Sequence, residues 1–356
     1  MILDEFNISK RDTIYEEANM NTTECLIKLK KYNQEHKWKD FDQLSEVQKQ
    51  ALIDQIEGTD FDVIKTLEHK NEVNQEENIE PLEVLKMDDI ARYKEQYKAI
   101  GEACIKEGKV GAVLFAGGMG TRLGSDHPKG MYNIGLTKDV YIFECLIQNL
   151  LQVVRENSTW IHLFIMTSDK NHKETTEFFK EHNYFGYKEE YIHFFQQEMA
   201  PATDYNGKVY MEDKGIIANS PNGNGGWFSS MNKQGMLSIV KEAGIEWLNI
   251  FAVDNCLQKI ADPVFLGATI ASERVAGSKV VKKVSPEERV GVMCQLNGTP
   301  AVIDYFELPE EMAHLEDACG HRIFDYGVIL NYLFKVEDLI SIGTIGLIKA
   351  VNTYRS

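Results

Sequence analysis

The sequence predicts an α/β fold with a mostly parallel sheet that is covered by helices on both faces. From residue 109 onward, short apolar runs rich in β-branched residues alternate with amphipathic helical patterns. This alternation is typical of βαβ units, whose crossover helices cover both faces of a parallel sheet. The predicted strands are residues 110–115, 160–166, 191–195 and 247–253, and the predicted helices between them are residues 141–157, 170–180 and 231–243.

Further segments flank this pattern. Residues 1–100 are polar and contain a single glycine, and the run from Ser45 to Gln48 is typical of a capping box, so we predict a helical N-terminal region. Three strand-like runs at 279–284, 290–295 and 301–306 predict a small antiparallel addition to the sheet. These bounds place a main domain at 101–336 and the start of a C-terminal region at 337–356.

Charge and composition argue against several classes of protein. The 356 residues include 55 acidic and 38 basic ones, for a formal net charge of −17, which opposes general binding of nucleic acids or anionic membranes. A few basic groups can still dominate one pocket. No apolar stretch approaches the roughly 18–20 residues of a membrane span, and the first residues lack a secretory signal pattern.

Cysteine and histidine spacing narrows the expected chemistry. The six cysteines form no CxxC pair, and the nine histidines form no HExxH motif. We therefore expect a reduced, cytoplasmic chain without a histidine-based zinc site.

A glycine-rich loop after the first predicted strand is the strongest functional signal. Gly117, Gly118 and Gly120 follow the strand directly, and two cations, Arg122 and Lys129, stand within a dozen residues. Glycines let backbone N–H groups converge on phosphate oxygens, so the loop predicts a polyphosphate site at the carboxyl end of a strand. The dinucleotide fingerprint would need a glycine at Leu123, and the P-loop pattern is not matched either.

This segment resembles the loop of sugar-nucleotide pyrophosphorylases, whose pattern is G-G-x-G-T-R-L with a later P-K. The form AGGMGTRLG followed by PKGMY is similar to the eukaryotic UDP-N-acetylglucosamine pyrophosphorylase branch. The resemblance covers roughly residues 100–335. Further motifs stand in the family's order at 166–168, 195–197 with Pro201, 221–226, 253–255 and 261–263.

The resemblance implies a fold and a set of roles. Residues 101–336 would form a Rossmann-like uridylyltransferase domain, in which Arg122 and Lys129 are catalytic and Asp254 binds Mg²⁺. Expected substrate contacts are Ala116, Gly117, Gly118, Gly120, Thr121, Gln197, Pro221, Gly223, Asn224, Gly225, Asn255, Gly291 and Asp304.

Three of these residues also have a purely structural interpretation. Gln197 offers an amide that can read a uracil edge, but it can also be an ordinary polar loop residue. Asn224 lies in an Asn-Gly cluster that is typical of turns. Asp254 ends an apolar strand. A carboxylate at this position can bind Mg²⁺ that bridges phosphates, or it can simply cap the next helix.

The chain departs from the family's pattern at three places. Asp304 stands where the family commonly has Glu against the sugar hydroxyls. The family's N-x-G-N pattern appears as residues 325–328 with Val328 at its last position, and Asn331 does not take over that contact. Nothing in residues 339–356 matches the family's phosphate-binding lysine, so we expect a shortened or unusual C-terminus.

The implied reaction joins UTP and N-acetylglucosamine 1-phosphate to give UDP-N-acetylglucosamine and pyrophosphate. The sugar phosphate is already an anionic nucleophile, so positioning and charge neutralisation suffice for in-line attack on the α-phosphorus. Two alternatives remain: a uridylyltransferase for glucose 1-phosphate or several sugars, and a nucleotide-sugar binding protein without turnover. A glycosyltransferase fits less well, because the strand ends in Val-Asp-Asn and not in D-x-D.

Overall fold

A computed structural model describes residues 22–59, 61–62, 78–204, 206–221 and 223–342. The chain divides into two compact units. The first comprises Met1–Gln75 with Met199–Asn222, and the second comprises Glu76–Glu198 with Gly223–Ser356. The first unit thus includes a stretch that the sequence pattern placed within the main domain.

The elements of both units are numbered here in chain order. The helices are α1 (22–31), α2 (Glu46–Gly58), α3 (Met87–Arg92), α4 (Lys94–Lys106), α5 (Ile142–Asn157), α6 (His172–Glu181), α7 (Trp227–Lys233), α8 (Met236–Glu242), α9 (Pro263–Ala271), α10 (Glu310–Ala313) and α11 (Val336–Ile342). The strands are β1 (Ile79–Pro81), β2 (Val110–Phe115), β3 (His162–Thr167), β4 (Ile192–Gln196), β5 (Met199–Pro201), β6 (Met211–Asp213), β7 (Ile216–Ile217), β8 (Asn219–Pro221), β9 (Trp247–Ala252), β10 (Ala276–Lys282), β11 (Val292–Leu296), β12 (Thr299–Ile303) and β13 (Tyr326–Lys335).

The first unit has its own small core. The predicted capping box at the start of α2 is confirmed, because Gln48 N donates to Ser45 Oγ at 3.4 Å and Ser45 N donates to Gln48 Oε1 at 3.1 Å. The buried face of α2 packs with Val209 and Ile217. The polar N-terminal region therefore obtains apolar partners from residues 199–222, which explains why this stretch belongs to the first unit.

The second unit is built on one large sheet whose parallel core agrees with the prediction. β9, β2, β3 and β4 lie side by side in parallel. Every residue of β2 is buried, and its side chains alternate between two apolar clusters. Leu114 packs with α5 on one face, and Phe115 packs with α7 on the other. This two-sided burial is the physical reason for the uninterrupted apolar run.

The predicted antiparallel strands are continuous with this parallel core. β13, which the sequence analysis did not assign, pairs antiparallel with β9 on one side and with β10 on the other. β11 pairs with β1, β12 and β13, all antiparallel. The helix predicted over 231–243 is interrupted: α7 and α8 are separated by Gly235, whose φ is +78°.

The described residues include no membrane-spanning helix and no disulfide. No helix within the described ranges is long and apolar enough to cross a bilayer. All six cysteines lie in the described part of the chain, and all six are free thiols.

Candidate active site

The glycine-rich loop leaves β2 at the centre of the parallel sheet and folds back on itself. Ala116 N donates to Met166 O on β3 at 2.8 Å, so the loop begins in register with its neighbour. Gly120 N then donates to His127 O at 2.8 Å, and Lys129 N donates to Gly118 O at 3.1 Å. These contacts bring Lys129, eleven positions further along the chain, beside the glycines.

Gly117 and Gly118 have different surroundings, so a side chain at each position would have a different effect. A Cβ on Gly117 would lie 3.1 Å from Gln197 Nε2, so the Gln197 side chain rests directly against this part of the loop. A Cβ on Gly118 would meet nothing within 4 Å, and the residue is exposed. The backbone at Gly118 is therefore open to a ligand.

Asn171, which the sequence analysis did not select, holds the glycine loop in place through hydrogen bonds to its backbone. Its side chain is fully buried at the start of α6, and Nδ2 donates to Ala116 O at 2.9 Å and to Gly118 O at 3.5 Å. Its Oδ1 accepts from Ser168 N at 2.8 Å. One amide thus ties the loop after β2 to the loop after β3. A single asparagine in a polar stretch carries no local signal of this role.

The charged groups meet at the carboxyl ends of β2 and β9. Val253 N donates to Phe115 O at 3.1 Å, which places the end of β9 beside the start of the loop. Lys129 Nζ and the Asp254 carboxylate form an ion pair, in which 24% of the Lys129 side chain and 61% of the Asp254 side chain are exposed. Partial burial, together with the nearby charge of Arg122, lowers the pKa of the Lys129 ammonium. Arg122 itself is exposed on a 3₁₀ turn, Thr121–Leu123.

The two predicted nucleoside-reading segments lie at the same edge. Gln197 is 9% exposed, and its N–H donates to Thr167 O at 2.8 Å. Asn224 begins a 3₁₀ turn that leads into α7. Buried Ser230 ties the two segments, because its Oγ accepts from Glu198 N at 2.9 Å and donates to Gly226 O at 3.0 Å.

The remaining predicted residues divide between the two units. Pro221 is exposed at the end of β8 in the first unit, and Asn222 lies outside the described residues. Gly223, at φ +72°, and Gly225 flank Asn224 in the second unit. Asn255 follows Asp254, and its Oδ1 accepts from Leu257 N at 3.2 Å.

The predicted sugar-contacting residues form a second group. Asp304 Oδ1 lies 3.6 Å, and Val328 Cγ2 3.4 Å, from the position of a Cβ on Gly291. Asn331 on β13 pairs with Phe251 on β9. Because the two strands are antiparallel, Val328 lies beyond the carboxyl end of β9. The group therefore stands at the same edge of the sheet as the glycine loop. Burial raises the pKa of the Asp304 carboxyl.

Asp254 offers a metal ion an exposed carboxylate beside the glycine loop. Within the described ranges, no three His, Cys, Asp or Glu side chains come together as a metal site. Mg²⁺ is usually held by one or two carboxylates, several waters and the substrate phosphates, and not by an all-protein cage. The exposed Asp254 carboxylate beside the glycine loop fits that mode of binding.

Both the sequence and the fold match those of known proteins. A family model described as UTP–glucose-1-phosphate uridylyltransferase matches residues 60–354. The chain belongs to this family. Among its members, the Arabidopsis thaliana protein named UDP-N-acetylglucosamine diphosphorylase 1 is 33% identical over 341 residues, which are 89% of this chain and 67% of the relative. The resemblance inferred from the glycine loop is thus confirmed.

The matches to a second relative and to a solved structure each cover only part of that protein. The human UDP-N-acetylhexosamine pyrophosphorylase-like protein 1 is 36% identical over 252 residues, 68% of this chain and 47% of its own length. The chain thus spans about half the length of this curated relative. The solved UDP-N-acetylglucosamine pyrophosphorylase from Trypanosoma brucei has a TM-score of 0.79 at 28% identity and covers 93% of this chain and 69% of its own. The predicted fold class is confirmed by this similarity.

Replacing Asn171 with Asp tests whether its amide holds the loop. The Asn171→Asp change sets an oxygen in place of a donor against two carbonyl oxygens, so we expect the free energy of unfolding to fall by about 1–3 kcal/mol. We also expect UTP to bind at least several-fold more weakly. Urea unfolding and calorimetric titration of UTP measure the two effects.

A matched control adds the same charge elsewhere. Asn232 is exposed near the end of α7, and Asn232→Asp should leave both quantities near their wild-type values. An Asn171→Asp variant that binds UTP normally would show that the loop does not depend on this amide.

Proposed function

We propose that the protein transfers the uridylyl group of UTP to N-acetylglucosamine 1-phosphate, giving UDP-N-acetylglucosamine and pyrophosphate. The observation that carries this proposal is the meeting of the glycine loop, Lys129 and Asp254 at one edge of the parallel sheet. The names of the relatives at 31–37% identity support the N-acetylated sugar.

The chemistry needs little from the protein beyond geometry and charge. A sugar-phosphate oxygen attacks the α-phosphorus of UTP, a new P–O bond forms, and the bond to the bridging oxygen breaks. Pyrophosphate leaves with that electron pair, so no proton transfer is required. Catalysis then consists of holding both anions in line and stabilising the charge that develops.

Particular groups of this chain suit those tasks. The open backbone at Gly118 and the neighbouring N–H groups can accept phosphate oxygens. Lys129 and the exposed Arg122 would neutralise the triphosphate and the departing pyrophosphate. Because Lys129 and Asp254 form an ion pair, an incoming phosphate would compete with Asp254 for the ammonium.

Side chains around the loop suit a uridine and a sugar. Gln197 presents its amide against Gly117, where it can pair with the uracil edge, with Asn224 on the opposite segment. Asp304 and Gly291 would face the sugar hydroxyls. Asp254 would bind Mg²⁺ together with the phosphates, and the metal would supply further charge neutralisation.

A hydroxyl nucleophile has less support. Near the loop, Thr167 Oγ1 contacts His172 Nδ1 at 2.8 Å, but Thr167 is fully buried and its hydroxyl already donates to Phe195 O.

The six free cysteines suit the cytoplasm, which we propose as the compartment. Neither nucleic acid nor membrane has a part in the proposed reaction.

A second candidate is a uridylyltransferase for glucose 1-phosphate or for several sugar phosphates. The observation that favours it is apolar Val328 beside Gly291 and the short carboxylate Asp304, because fewer polar contacts would discriminate less between sugars.

A panel of sugar 1-phosphates with UTP and Mg²⁺, followed by pyrophosphate release, tests the proposal. We expect a higher kcat/KM for N-acetylglucosamine 1-phosphate than for glucose 1-phosphate. Discrimination by apolar packing of one acetyl group is limited to about 1–3 kcal/mol. Equal kcat/KM values would favour the second candidate, and UTP binding without pyrophosphate release would favour a non-catalytic binding protein.

The role of Lys129 is tested by Lys129→Met. We expect kcat/KM to fall by about 10² or more, because a charge that stabilises the transition state is lost. The control is Lys109→Met: Lys109 also pairs with carboxylates, Glu107 at 2.9 Å and Glu246 at 3.2 Å, but it precedes β2 at the opposite edge of the sheet. Lys109→Met should retain normal turnover. Equal turnover by both variants would remove Lys129 from the mechanism.

A further inference from the structure

The segment after β9, which carries Asp254 and Asn255, is held by buried side-chain amides. Asn249 on β9 is 1% exposed, Gln258 within the segment is 6% exposed, and Asn331 on β13 is fully buried. Buried amides are stable only when their donors and acceptors are paired. Their partners therefore show what these residues hold in place.

Gln258 closes the segment into a loop. Its Nε2 donates to Ala252 O, the last residue of β9, at 2.9 Å. Asp254 and Asn255 lie inside the loop that this hydrogen bond closes. The distance between the two ends of the loop is thus fixed by one side chain.

Asn331 fixes Gln258 from the neighbouring strand. Its Nδ2 donates to Gln258 Oε1 at 3.1 Å and to Lys259 O at 3.3 Å. The orientation of the Asn331 amide is fixed in turn by Asn249, whose Nδ2 donates to Asn331 Oδ1 at 2.9 Å.

Two further contacts complete the enclosure. Asn249 Oδ1 accepts from Ala261 N at 2.7 Å, where Ala261 has a φ of +47° that an L-residue seldom adopts without support. From α5, Asn149 Nδ2 donates to Cys256 O at 3.0 Å and to Gln258 O at 3.2 Å. The segment is therefore held by β9, β13 and α5 together.

We propose that Asn331 is a positioning residue for the reaction: through Gln258 it fixes the Asp254 loop relative to Lys129. The inference rests on the proposed function, because it assigns the network to the phosphate and metal edge of that site. The network is built from neutral amides, so it orients Asp254 without adding a charge that competes for Lys129 or for Mg²⁺. Groups that orient a metal ligand commonly affect metal affinity or activity by about 10–100-fold.

The kinetic test compares Asn331→Leu with Asn157→Leu. Asn157 is also a buried amide, 4% exposed, but it ends α5 at the opposite edge of the sheet, where its Nδ2 donates to Val153 O at 2.9 Å. For Asn331→Leu we expect kcat to fall about ten-fold or more and the Mg²⁺ concentration for half-maximal rate to rise by a similar factor. The KM for UTP should stay within about two-fold, because uridine is read by Gln197 and Asn224.

A second readout does not depend on turnover. Hydrogen exchange of the amides in residues 253–260, without substrates, should become faster in Asn331→Leu and stay unchanged in Asn157→Leu. Gln258→Met, which keeps the side-chain length but loses both polar contacts, should reproduce both effects if Asn331→Leu does not fold.

The positioning role of Asn331 and the proposed function are contradicted by different results. Unchanged exchange in Asn331→Leu and Gln258→Met overturns the positioning role, and so does an equal kinetic loss in Asn157→Leu. A wild-type chain that makes no UDP-sugar contradicts the proposed function instead, whatever the exchange data show.

Discussion

The site depends on one constraint: the carboxyl ends of parallel strands meet at a single edge of the sheet. The residues after β2, β3, β4 and β9 come from four distant parts of the sequence, and this edge alone brings them together. The register holds them there, because Ala116 N donates to Met166 O and Val253 N donates to Phe115 O. A glycine loop with few side chains of its own can bind phosphates only where its neighbours fix its backbone.

At this edge, neutral amides position the backbone, and charged groups are available to the substrates. Asn171, Gln258 and Asn331 are buried and hold backbone groups. Arg122, Lys129 and Asp254 are accessible and would meet the substrates. Paired amides fix geometry without the desolvation penalty of a buried charge. The charged groups remain accessible to solvent, so they can exchange one partner for another.

Local patterns predicted most of the fold and pointed to the charged residues of the candidate site. The β2 run and the residues from Ala116 to Lys129 carry their own signal, because burial on two faces and glycine chemistry act over a few residues. The bracing residues carry none: Asn171, Gln258 and Asn331 matter only through partners far away in sequence. β13 went unassigned because its pairing with β9 is a long-range event. Gly235 divided a helix that apolar spacing alone predicted as continuous.

In the proposed reaction, geometry and charge carry out the transfer without a covalent enzyme intermediate. Exchange of labelled pyrophosphate into UTP, measured with and without N-acetylglucosamine 1-phosphate, tests this directly. Direct in-line attack by the sugar phosphate predicts label in UTP only when the sugar phosphate is present. Label that enters UTP in its absence would require a uridylyl group on the protein and would contradict direct in-line attack.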